Sequence, residues 1–126
     1  MSEPYRLAAE AAAQLRQFNH ATVKTGEDWQ NPADTYEALG ELAYLTRILP
    51  QALEQAMRPV TVAQQRGQLT VADGEPVDRV TELRGSLDTV LAHARRLALA
   101  VDAMHTVTGT LTVRDADEPT AGGDVQ

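Results

Sequence analysis

Apolar residues return at steps of three and four along most of this chain, which is the period of a helix with one oily stripe. The cleanest stretch runs from 76 to 108. Val80, Leu83, Leu87, Val90, Ala94, Leu97, Val101 and Met104 form its seam, and Leu91 and Ala98 widen the seam on one side. Asp78, Glu82, Asp88, Arg95 and Asp102 are read as the opposite, polar face. A seven-residue repeat of this kind keeps one seam turned toward a partner helix, at a crossing of about 20°. The pattern predicts a long, coiled-coil-like helix whose partner lies in the same chain or in a second copy.

Two more helices are predicted upstream. The first spans about 4 to 24, with Ala8, Ala11, Leu15, Phe18 and Ala21 on one stripe. Ser2 suits its cap, and Pro4 suits a first turn, where a missing N–H costs nothing. Gly26 is its expected stop. The connection "GEDWQN" leads to Asn31 and Pro32, a cap followed by a first-turn proline. The second helix extends from 32 to about 66, with the stripe Ala38, Leu42, Leu45, Leu49, Ala52 and Ala56. Pro50 and Pro59 each delete a backbone hydrogen bond, at about 3 kcal/mol in a helix interior. A kink is expected at Pro50, and a second kink or a break at Pro59.

The phrase "GQLTVADGEP", beginning at Gly67, is echoed by "GTLTVRDADEP", beginning at Gly109. Both glycines stand where a helical stripe ends, so each is expected to take the left-handed turn that stops a helix. Leu-Thr-Val then leads the chain away in an extended form. A second reading pairs the two Leu-Thr-Val segments as a short two-stranded ribbon. The similarity does not reach upstream of the glycines, so it is no tandem duplication.

Composition narrows the class. The 126 residues are 43% hydrophobic and only 4% aromatic, so Leu, Val and Ala must fill the core of a globular domain. That domain is placed at 1–113. The remainder, 114–126, is acidic and poor in large apolar groups, and reads as a disordered tail. The formal net charge of −7 argues against nucleic acid and against anionic membranes, which both select a basic face. The neighbours Arg95 and Arg96 are too few to supply one. No apolar run is long enough to span a membrane, and the first ten residues lack the pattern of a secretory leader. With no cysteine, disulfides, thiolate catalysis and zinc–thiolate sites are excluded. A cytoplasmic location is expected. The many alanines, with Lys24 the single lysine, suggest a bacterial source with a GC-rich genome.

Candidate chemistry is sparse. Of the histidines His20, His93 and His105, only His105 has a carboxylate at helical spacing, Asp102, and a cation near a helix C-terminus is the simpler account of it. Asp34, Glu37 and Glu41 share a helix face, which suits the positive start of a helix better than a metal. No Glu-x-x-His pair, phosphate-cradling glycine loop or activated nucleophile is present in the sequence. Trp29, the single tryptophan, is read as closing the end of the core, or otherwise as an anchor for a partner.

The expectation is therefore an all-α protein: an antiparallel bundle of three long helices, the second kinked at Pro50 or Pro59 and the third coiled-coil-like. It is expected to be a non-enzymatic protein–protein interaction module, an adaptor, assembly subunit or accessory protein, that associates with itself as a homodimer and uses no metal or cofactor. The interface residues expected are Val80, Leu83, Leu87, Val90, Leu91, Leu97, Val101, Met104 and Trp29. The alternative is a ligand-sensing helical bundle with a pocket near Pro50.

Overall fold

The computed structural model describes residues 2–23 and 27–114. Among them all regular structure is helical and no strand forms: α1 spans Glu3–Ala21, α2 Pro32–Ala56, α3 Arg58–Gln65 and α4 Pro76–Thr108, with a single 3-10 turn at Glu27–Trp29. The all-α expectation holds. The acidic tail expected after 113 lies, from 115 onward, outside the described residues, as does Gly26.

The helix starts follow local chemistry. The Ser2 hydroxyl accepts the Tyr5 backbone N–H at 3.2 Å, and Pro4 sits in the first turn, so two of the unpaired N–H groups of α1 are dealt with locally. The Asn31 side chain accepts the Ala33 N–H at 2.9 Å ahead of α2. α4 starts at the proline that the sequence marks, preceded by Glu75 in an extended conformation. α1 ends at Ala21, earlier than expected, and the Val23 N–H turns to the His20 carbonyl three residues back instead of continuing the helical pattern.

The second predicted helix is two. α2 continues through Pro50 as one helix, and the interruption falls at Met57. Pro59 explains the place: it lacks an N–H, its ring crowds the carbonyl four residues back, and it disfavours helical geometry in the residue before it. As the second residue of the new helix α3, its missing N–H is one that a first turn leaves unpaired in any case.

Gly67 takes φ +66° and stops α3 as expected. Gly109 does not. It keeps right-handed angles, φ −66° and ψ −13°, and α4 winds down through successive tight turns from Gly109 to Leu111. Neither Leu-Thr-Val segment forms a strand, so the two do not pair as a ribbon within the chain.

Thr35–Leu111 make up one compact unit, and the described residues on either side belong to a second. In the second, α1 buries no residue fully, and Phe18 meets Trp29 edge to face, ring centroids 5.9 Å apart. In the first, α2, α3 and α4 supply the core. Its buried residues are few: Ala43 and Thr46 on α2, and Val80, Leu91 and Ala94 on α4. Small side chains at these positions let two helix backbones approach closely. The Thr46 hydroxyl bonds the Ala43 carbonyl at 2.7 Å, so its burial leaves no donor unpaired.

Candidate interaction surface

Cross-helix contacts fix the order in which α4 meets α2 and α3. Tyr36 stacks on His105, Arg47 pairs with Asp102, and Arg84 bonds Thr61. Numbers on α4 fall as those on α2 and α3 rise. The covered stripes are regular: Leu39, Ala43, Thr46, Pro50 and Leu53 on α2, and Leu87, Leu91, Ala94, Ala98 and Val101 on α4. Each advances by fours and threes.

The two flanks of these stripes differ in chemistry. Arg47 follows Thr46 by one residue and Asp102 follows Val101 by one, so both lie on one flank, about 100° round from the stripe. Their Nη1–Oδ1 distance is 3.3 Å. Glu54, Asp88 and Arg95 hold equivalent positions, which makes this flank charged. The Arg47 guanidinium also stands 5.7 Å from the Tyr44 ring centroid. An open groove of about 390 Å³ lies here, lined by Arg47, Pro50, Arg95, Ala98, Leu99 and Asp102. Sequence reading assigned Arg95 and Asp102 to the solvent face and named no partner for Arg47. The Arg47–Asp102 contact joins residues 55 apart, which no local spacing reveals.

Three residues on from the stripe is the other flank, about 60° round in the opposite sense. There α4 presents Leu83, Val90, Leu97 and Met104, seven apart and 40, 44, 50 and 55% exposed. On the same flank α2 carries Leu42 and Leu49, both half-buried, beside the exposed Leu45. The flank positions of both helices hold no Asp, Glu, Lys or Arg between 38 and 56 or between 83 and 107.

The expected interface residues thus separate. Val80 and Leu91 are buried within the unit, Leu87 and Val101 are half-buried, and Leu83, Val90, Leu97 and Met104 are open to solvent. Trp29 is half-buried against Phe18. His20 and His93 are exposed, and among the described residues no group of His, Asp and Glu is placed to hold a metal ion. His105 is not paired with Asp102. Its ring stacks on Tyr36, centroids 4.2 Å apart and planes at 25°. A Cβ on Gly40 would come within 3.0 Å of the His105 Nε2 and one on Gly109 within 2.9 Å of the Tyr36 ring. The signal for this cluster was present in the sequence as a glycine inside a helix, four residues after a tyrosine, and it takes the facing helix to interpret it.

No protein family, no curated protein and no solved structure matches this chain.

Proposed function

We propose that this protein is a non-enzymatic interaction module, an adaptor or assembly subunit built on an antiparallel helical bundle with α4 as its coiled-coil-like element. The observation that carries the reading is the row Leu83, Val90, Leu97 and Met104. Scattered exposed leucines are ordinary, but an aligned, uncharged row some six turns long is the kind of surface that partners cover. The four buried hydrophobic residues, two of them alanines, point the same way, since the unit has little core of its own. An acidic chain with this surface suits protein partners rather than nucleic acid.

The test joins light scattering over a range of concentrations with capture by the tagged chain. A mass above the monomer, or a retained partner, that is lost in Leu97→Arg supports the reading. A strict monomer that retains nothing overturns it.

The groove beside Pro50 favours a second reading, a ligand-sensing bundle. Arg95, over an apolar floor and beside the Arg47–Asp102 pair, suits a small carboxylate with a hydrophobic body. A thermal-shift screen of such acids, repeated with Arg95→Gln, decides it: no shift in the wild type ends this reading.

A further inference from the structure

We propose that the uncharged flank of the α2–α4 hairpin takes a second copy of this chain, so that two hairpins pack face to face as a four-helix bundle. The inference rests on the interaction reading above and names the partner.

Three observations choose a copy over another occupant. The first is charge. The chain carries −7 overall, and two copies repel wherever their carboxylates meet. One flank of the hairpin carries Arg47, Glu54, Asp88, Arg95 and Asp102, whereas the other carries no carboxylate or permanent cation between 38 and 56 or between 83 and 107. A partner chosen by charge would need a charged surface to read. A two-fold contact brings the same patch against itself and needs a surface without like charges to oppose.

The second is size. Leu83 to Met104 is 21 steps of helix, about 32 Å at the helical rise, and two helices side by side are about 20 Å across. That face is roughly 600 Å² per copy and 1,200 Å² for a pair, the lower bound of a specific interface. A single docked helix would cover only about half of it.

The third is pattern. The open row keeps the seven-residue spacing of the covered stripe next to it, and Leu45 and Leu49 on α2 lie on the same flank. Apolar rows on two adjacent faces of one helix are what the inward-facing helices of a four-helix bundle require, because each packs against two neighbours.

The chain has no cysteine, so a single introduced thiol reports geometry without ambiguity. The experiment measures the mass of the purified full chain by sedimentation, for the wild type, Leu97→Arg and Leu99→Arg, and cross-links Val90→Cys and Leu99→Cys with a short bis-maleimide. Expected are a dimer, a dissociation constant raised at least about tenfold by Leu97→Arg, a dimer retained by Leu99→Arg, and covalent dimer from Val90→Cys but not from Leu99→Cys. If Leu97→Arg fails to fold, the Val90→Cys result decides alone. A purified wild type that stays monomeric overturns the second copy, and the capture experiment above then decides the interaction reading separately. A dimer that cross-links through Leu99→Cys and not Val90→Cys overturns the assignment of this flank.

Discussion

The Tyr36 ring lies on the His105 imidazole, centroids 4.2 Å apart, and a glycine stands against each partner: Gly109 beside the tyrosine and Gly40 beside the histidine. One glycine is on α2 and one caps α4, so both helices thin their backbones where the stack forms. At neither glycine is φ positive. What both positions need is absence of a Cβ.

Gly109→Ala should therefore destabilise the protein by about 1 kcal/mol or more, since an added Cβ at 2.9 Å must displace the Tyr36 ring. Thermal unfolding should show a midpoint several degrees lower. Tyr36→Ala removes the obstacle, so Gly109→Ala in that background should cost little. Equal losses in both backgrounds would refute the steric account.

Gly67 and Gly85 should respond in opposite senses. Gly67 sits at φ +66°, where an alanine side chain costs about 1–2 kcal/mol. Gly85 lies inside α4, and a methyl added there would meet nothing within 4 Å, so Gly85→Ala should stabilise by about 0.5–1 kcal/mol through helix propensity alone. Denaturant midpoints of the two variants are the measurement.

The Arg47–Asp102 pair should contribute little. Its side chains are 52 and 56% exposed and 3.3 Å apart, so water and salt screen it. A double-mutant cycle with Arg47→Gln and Asp102→Asn should return a coupling below about 1 kcal/mol that shrinks as salt is added. A coupling of several kcal/mol would mean that the charged flank is itself covered in solution.

Leu91→Ala and Leu97→Ala separate the core from the open flank. Leu91 is buried, and its truncation should cost about 2–5 kcal/mol at any protein concentration. Leu97 is half exposed, and its truncation should matter more as the protein is concentrated, because its remaining burial belongs to the association. Unfolding curves at low and high protein concentration test this; a concentration-independent loss at Leu97 of the size seen at Leu91 would place it in the core.

Much of the fold was legible along the chain because it depends on neighbours a turn away. Ser2, Asn31 and Pro76 mark helix starts through hydrogen bonds and a missing N–H that reach no further than four residues, and each start lies where they put it. The break before Pro59 is of the same kind, although the sequence left its exact form and position open. The candidate surface was legible only as a list of apolar residues. Leu83 and Leu87 look alike in the pattern, yet one is open and the other half-covered.

From its own order of residues this chain determined that it is helical, where its helices start, and that α4 carries more oily surface than one stripe needs. Those properties follow from backbone hydrogen bonds and helical period, which are local. Only the tertiary structure decided which row of α4 faces inward, that Gly109 serves a tyrosine 73 positions away rather than a left-handed turn, and that Arg47 meets Asp102. Such choices depend on the facing helix. Two adjacent rows with the same seven-residue spacing are equivalent until a second backbone, held close by Ala43 and Ala94, covers one and leaves the other to water.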